Sequence, residues 1–211
     1  MSKLTQALLL VIGLIFVLQL LFPFVENLFI FVPSLAFSEP WRFITSMFLH
    51  ADLSHIFFNC YALFLFGSIL ESRVSKTEYL SIYFISGSAG GLLYLITIYL
   101  GIIDPNPALG ASGAIYGILG AVAVLLPEMT IFVWFFPMKM KHAAIFWALI
   151  EFAGSFNRAS GIGSAAHLGG LLVGILIAFY LKNRSKPTFT FNSTIKTQIV
   201  PDDPWEKHLK N

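Results

Sequence analysis

The sequence predicts an all-α, polytopic membrane protein: a bundle of six transmembrane helices with a first external loop that dips into the membrane. Three observations carry this. Of 211 residues, 57% are hydrophobic and only 11% charged, against roughly 25% charged in a soluble domain. Several apolar runs reach the ~18 residues or more that cross a bilayer. The basic residues gather on one side when those runs are threaded alternately. A net charge of +2 is too small to suggest nucleic acid. The single Cys60 excludes an intramolecular disulfide and a cysteine-built metal site.

The predicted spans are 4–22, 53–72, 78–100, 111–126, 142–157 and 164–182. Only Lys3 precedes the first, and no clear small-x-small cleavage site follows, so it reads as a retained span rather than a signal peptide. The loop 23–52 is long and still apolar, with Phe24, Phe29, Phe31, Phe37, Trp41 and Phe43 punctuated by Pro23, Pro33 and Pro40. Such a loop belongs in the membrane interface. The fourth span follows Asp104-Pro105-Asn106-Pro107, which cannot be helix interior, and it stops before Pro127. The connection 127–141 carries Phe132, Trp134, Phe135 and Phe136, which suit an interfacial aromatic belt. Residues 1–184 form one membrane domain, and 185–211 a short polar cytoplasmic tail.

With the N-terminus inside, Lys3, Arg73, Lys76, Lys139, Lys141 and the tail's Lys and Arg residues from Lys182 onward lie in the cytoplasm. Only Arg42 and Arg158 lie outside. The split is eleven to two, which supports six spans with both termini inside. The expected location is the plasma membrane.

Counting helical steps then gives depth. From Ser112 to Pro127 is 15 steps, about 22 Å at ~1.5 Å per residue. In a hydrocarbon core ~30 Å thick, Ser112 lies roughly 8 Å below the outer boundary. His167 is also 15 steps from its inner anchor, Lys182, and Asn59 is 14 steps from Arg73. His55 lies one turn further out. Four polar residues on three helices therefore share one layer, and polar groups in lipid need partners. The chain before Ser112 must dip below the surface to reach it. Irregular backbone at that depth needs surrounding protein or a water-filled cavity, so a cavity opening outward is expected.

Serine is a poor nucleophile until a base takes its proton, and His167 is the histidine at matching depth. The N-terminus of the fourth span offers Ser112 backbone N–H groups for an oxyanion. His55 and Asn59, at i and i+4, can donate to the same negative charge. Tyr116, one turn after Ser112, can stack on the imidazole. Gly110 precedes the serine. Gly113 permits close approach of a substrate backbone, and it also suits helix packing. Gly170 and Gly174 let the sixth span approach the fourth. No acidic residue is expected beside His167 at this depth, which favours a Ser–His dyad over a triad.

Each residue also has a plainer reading. A serine in a Gly/Ala-rich helix ordinarily serves packing, and an intramembrane histidine can serve a proton relay or a metal. His55 can cap a loop. His50 reads as structural, Trp41 and Arg42 as an interface anchor pair, and Gly170-x-x-x-Gly174 as architecture. Glu151, midway along the fifth span, is a functional candidate by default, with a hydrogen bond to a neighbouring helix as the ordinary alternative. The shared depth of Ser112, His167, His55 and Asn59 is what these plainer readings leave unexplained.

Four segments in this order resemble the rhomboid intramembrane serine proteases: Glu39-Pro40-Trp41-Arg42, His55-Ile56-Phe57-Phe58-Asn59, Gly110-Ala111-Ser112-Gly113, and Ala166-His167-Leu168-Gly169-Gly170 with Gly174. The resemblance covers residues 1–184 and is to the six-span prokaryotic form. It implies a rhomboid-like six-helix core with Ser112 as nucleophile and His167 as general base. His55, Asn59 and the Ser112 N–H would form the oxyanion hole, with Tyr116 packed on His167. It implies that Trp41 and Arg42 belong to a structural loop motif, and that Glu71 is a buried structural acid near the inner end of the second span. The fifth span and the loop Asn157–Gly163 resemble the family's proposed substrate gate. The implied substrates are single-span or other transmembrane proteins, cut near their outer ends, with no metal, cofactor or nucleic acid. Two rivals stand beside this reading. One is a non-enzymatic binding or dislocation factor on the same scaffold. The other is a small transporter, which the lack of an inverted repeat argues against. A zinc-type protease lacks its His-Glu-x-x-His signature here.

Overall fold

The computed structural model describes residues 3–133, 135–157 and 162–184. The predicted tail 185–211, Trp134 of the aromatic belt, Arg158 and residues 158–161 of the gate-like loop lie outside the described residues.

The chain is mostly helical. Helix α1 (Lys3–Leu21) is followed by a first loop holding two short helices, α2 (Phe24–Phe29) and α3 (Arg42–Thr45). Helix α4 (Leu53–Ala62) continues through a π-helical turn, Leu63–Gly67, into α5 (Ser68–Glu71). Then come α6 (Lys76–Tyr99), α7 (Ser112–Leu125), α8 (Met140–Gly154) and α9 (Ile162–Arg184). Among the described residues, four helical stretches are long and apolar enough to cross a bilayer: Lys3–Leu21, Leu53–Glu71, Lys76–Tyr99 and Gly163–Arg184. Helices α7 and α8, with 14 and 15 residues, measure only about 21–23 Å.

Local chemistry sets the boundaries. Asp52 caps α4 by accepting the His55 N–H at 2.8 Å. Bonds from the Ser54 hydroxyl and that amide hold its carboxyl below the usual range. Ser75 and Glu78 form a reciprocal capping box at the start of α6, satisfying two donors that the helix leaves orphaned. Glu71 caps a different helix from its own. Its carboxylate accepts the N–H groups of Leu4 and Thr5, at 2.8 and 2.9 Å, and the Thr5 hydroxyl. Negative charge at a helix N-terminus is favourable on both hydrogen-bonding and dipole grounds. At the other end of α7, the Lys182 ammonium donates to the Val124 carbonyl at 3.2 Å.

Helix α7 is the axis of the molecule. Eleven of its fourteen residues are buried, as expected of a helix that is apolar all round. It packs against α6 and α9 through small residues. A Cβ on Gly170 would overlap the Gly113 carbonyl, and one on Gly174 the Gly117 carbonyl. The close α7–α9 approach read from the glycine spacing is present.

The connection after α7 adds one small feature to the helical fold. Residues Thr130–Val133 (β1) and Phe136–Lys139 (β2) pair as an antiparallel hairpin, Thr130 opposite Lys139 and Val133 opposite Phe136. Aromatic and β-branched residues favour a pleated, half-buried surface. The same Phe-rich composition reads equally well as an interfacial loop, which is why the hairpin escaped the sequence. Lys141 and Glu128 form an ion pair at its base.

Candidate active site

Ser112 opens α7, and the chain before it is fixed from three sides. The Gly110 N–H donates to the Ser46 carbonyl at 2.9 Å. Phe31 and Ala108 exchange backbone hydrogen bonds at 3.0 and 2.9 Å, forming a bridge between the first loop and the segment before α7. The Tyr94 hydroxyl bonds the carbonyl and N–H of Asn106 at 2.7 and 2.9 Å. The first loop is itself tied by the buried Arg42. Its guanidinium donates to Glu39 at 2.5 Å and to the carbonyls of Asn27 and Ile30 at 3.0 and 2.7 Å. Arg42 thus acts on the loop that positions Ser112, at one remove from Ser112 itself. Trp41, half exposed, starts that short helix and also stands apart. A cavity of about 70 Å³ lies beside Ser112, lined among others by Phe43, Met47, Tyr94, Gly110 and Ala166.

Gly110 has φ +123°, a conformation that side chains rarely adopt and glycine accepts freely. A Cβ there would lie 2.8 Å from both Cε1 and Nε2 of His55 and 3.8 Å from Ser112 Oγ. The bare glycine therefore lets the His55 ring edge come up to the serine. The Ala51 N–H donates to His55 Nδ1 at 3.4 Å, so a neutral ring carries its hydrogen on Nε2, the edge facing Gly110. Asn59 is buried, and one of its amide hydrogens goes to the His55 carbonyl at 2.9 Å. That leaves one amide hydrogen for another acceptor. His50 is buried behind His55, with ring centroids 5.0 Å apart. Burial, then the neighbouring His55, pushes its imidazole down to about 4.

His167 is held on face and edge. Tyr116 stacks on it at 4.2 Å with 6° between planes. Its Nδ1 lies 3.0 Å from Glu151 Oε1, which also accepts the Tyr116 hydroxyl at 2.5 Å. The Ser164 hydroxyl faces the same carboxylate. The expectation that no acid stands beside His167 is therefore corrected: Glu151 stands there, brought in from α8. A helical step count gives depth but not azimuth, so it could not say which way α8 turns its carboxylate. One signal was available. Glu151 lies three residues before the end of α8 and His167 five residues after the start of α9, so the two are nearly level at the facing ends of the two helices.

The serine and this cluster meet through the α7–α9 contact, where a Cβ on Gly113 would touch the Ala166 carbonyl at 3.4 Å. Among the described residues, Ser112 Oγ makes no hydrogen bond to His167. Catalytic hydrogen bonds are often loose in unliganded sites and tighten on substrate.

Comparison with known proteins adds the lineage. The Rhomboid domain family matches residues 38–184. The chain is 34% identical over 143 residues to Rhomboid protein 1, mitochondrial, of Saccharomyces cerevisiae, covering 65% of this chain and 41% of that protein. It is 32% identical over 158 residues to Rhomboid protease AarA of Providencia stuartii, covering 65% and 54%. It is 31% identical over 145 residues to Rhomboid protease GluP of Bacillus subtilis, covering 68% and 26%. The chain thus spans between about a quarter and just over half the length of these three relatives. The family match covers well over half of the sequence and includes every helix that carries the site, so the chain belongs to the rhomboid family.

Proposed function

We propose that this protein is an intramembrane serine endopeptidase that hydrolyses peptide bonds of transmembrane substrates near the outer membrane face. The observation that supports this reading is a serine opening a buried helix, with the His55 ring edge across Gly110 from it and His167 following Ala166, whose carbonyl faces Gly113. His55 turns an N–H edge toward the serine, and His167 has its Nδ1 edge engaged, leaving Nε2 as the edge for a proton.

The chemistry follows from those edges. As Ser112 Oγ attacks the scissile carbonyl carbon, its proton passes to His167 Nε2. The oxyanion is met by His55 Nε2–H, the second Asn59 amide hydrogen and the Ser112 N–H. Collapse expels the amine, which takes the proton from His167, and leaves an acyl-serine. Water, deprotonated by the same imidazole, attacks the ester and restores Ser112. Gly113 leaves room for the substrate backbone beside the nucleophile. Gly170 and Gly174 hold α9 close enough for His167 to serve. No metal or cofactor has a step to perform.

Family membership and the long apolar helices make the chain an integral membrane protein. The finer topology is part of the proposal: six spans in the plasma membrane, both termini cytoplasmic and the site opening outward. Lipid and transmembrane proteins are the partners. The test is cleavage of a model single-span substrate in detergent, with labelling by a fluorophosphonate. Ser112 is expected to be labelled. Ser112→Ala and His167→Ala should each abolish cleavage while retaining a cooperative thermal transition. Undiminished cleavage by Ser112→Ala would overturn the reading, and tight substrate capture without labelling would favour a binding factor.

A further inference from the structure

We infer that Glu151 is a positioning residue for His167, fixing its tautomer and supporting the imidazolium formed when Ser112 gives up its proton. The inference rests on the proteolytic reading above and turns its Ser–His pair into a three-residue relay.

Oε1 of Glu151 lies 2.5 Å from the Tyr116 hydroxyl and 3.0 Å from His167 Nδ1. The phenol can only donate to an ionised carboxylate. With that hydrogen already on Oε1, the approach of Nδ1 is favourable only if Nδ1 also brings a hydrogen. The other tautomer would oppose two lone pairs. A neutral His167 therefore carries its hydrogen on Nδ1 and leaves Nε2 bare, as a general base requires. Tyr116, stacked 6° from parallel, blocks the ring from tipping out of that plane. When the serine proton arrives on Nε2, the new positive charge forms beside a fixed negative one in a site of low dielectric, where such preorganised charge acts most strongly.

The packing of α8 indicates that this contact is not incidental. On the second half of α8 and just past its end, Leu149, Ile150, Phe152 and Phe156 are 63, 50, 58 and 59% exposed, whereas Glu151 is 8% exposed. Apolar groups turned to lipid are the ordinary arrangement for a span, and the helix's one carboxylate, costly to bury unpaired, is turned inward onto Tyr116 and His167. The carboxylate joins three helices: Tyr116 from α7, His167 from α9 and its own α8.

Two measurements test this. The first is kcat and KM of Glu151→Gln and Glu151→Ala on the model substrate, with thermal midpoints recorded in the same detergent. Expected is a fall in kcat of about 100-fold with KM changed less than about twofold. A lowered midpoint with wild-type kcat would reduce Glu151 to a helix tie and overturn the inference. The second needs no variant and covers the case in which Glu151→Ala does not fold. Nitrogen-15 spectra of histidine-labelled wild-type protein, with His167 assigned by difference against His167→Ala, report the tautomer at a pH where the ring is neutral. A bare Nε2 is expected, and an Nε2–H ring overturns the inference. Failure of the proteolytic reading is separate, since it appears as cleavage by Ser112→Ala whatever Glu151 does.

Discussion

At the residue scale, Gly110 shows how one missing side chain serves two ends. Its φ of +123° costs an L-residue about 1–3 kcal/mol, and its absent Cβ leaves the space that the His55 edge occupies. Gly110→Ala should lower the thermal midpoint modestly and displace His55. On the proposed role of His55 as an oxyanion donor, that displacement should lower kcat about 100-fold, measurable on the same substrate. His50 makes a different prediction. Burial holds its folded value at about 4, against an ordinary 6.5. Between those values the unfolded chain binds a proton that the folded one refuses. Stability therefore falls as pH drops from about 6.5 to about 4, by up to ~3 kcal/mol. Thermal midpoints measured across that window should decline with acid, and His50→Phe should flatten the decline if the protein folds. The residues of the site differed in legibility for one reason. Ser112, His167, His55 and Asn59 were found by depth along helices whose ends are marked by Pro127, Lys182 and Arg73. Glu151 was seen as an intramembrane acid, but its inward rotation depends on how α8 packs, and α8 has no strong apolar stripe to declare its buried face.

At the scale of elements, the α7–α9 seam packs the helix that carries His167 against the helix that Ser112 opens. Lipid tails are as apolar as leucine, so helices in a membrane gain most from backbone approach at small residues. Gly174→Ala would place a Cβ on the Gly117 carbonyl, a backbone atom that cannot rotate away. We expect a loss of about 1–3 kcal/mol from overpacking, read as a lowered thermal midpoint in detergent. Gly13 on α1 has nothing within 4 Å of its would-be Cβ, so Gly13→Ala should leave the midpoint unchanged or raised. If both substitutions behave alike, intrinsic helix propensity rather than the seam governs the response. The seam was legible because glycine spacing is a sequence property. The β1–β2 hairpin was not. Its four-residue strands, Thr130–Val133 and Phe136–Lys139, show no apolar/polar alternation and one contains Pro137, so the strand signal is missing, and its Phe-rich composition suits an interfacial loop equally. The Glu71 cap lay between these cases: the acid was visible, but its partner, the start of α1, lies 66 and 67 residues away in sequence.

At the scale of the whole molecule, charge placement decides which way the site faces. Under the proposed six-span topology, eleven of the thirteen Lys and Arg residues would fall on one side, and that asymmetry would bias insertion toward a cytoplasmic location for the basic loops. The connection between α7 and α8 is the sharpest place to test it. It carries Lys139 and Lys141, and its tip residue Phe135 is 91% exposed, so a probe there is accessible and disturbs no packing. The chain's single cysteine, Cys60, can be removed as Cys60→Ala, after which Phe135→Cys supplies one reporter thiol. A membrane-impermeant maleimide should label that thiol in inverted vesicles and leave it unlabelled in intact cells. Because α7 runs from Ser112 to this connection, a cytoplasmic Phe135→Cys places Ser112 toward the outer face, 13 residues or about 20 Å along the axis. Labelling from outside would invert the protein and aim the site at the cytoplasm, whatever the activity of Ser112. The result therefore separates the orientation of the cut from the chemistry that makes it.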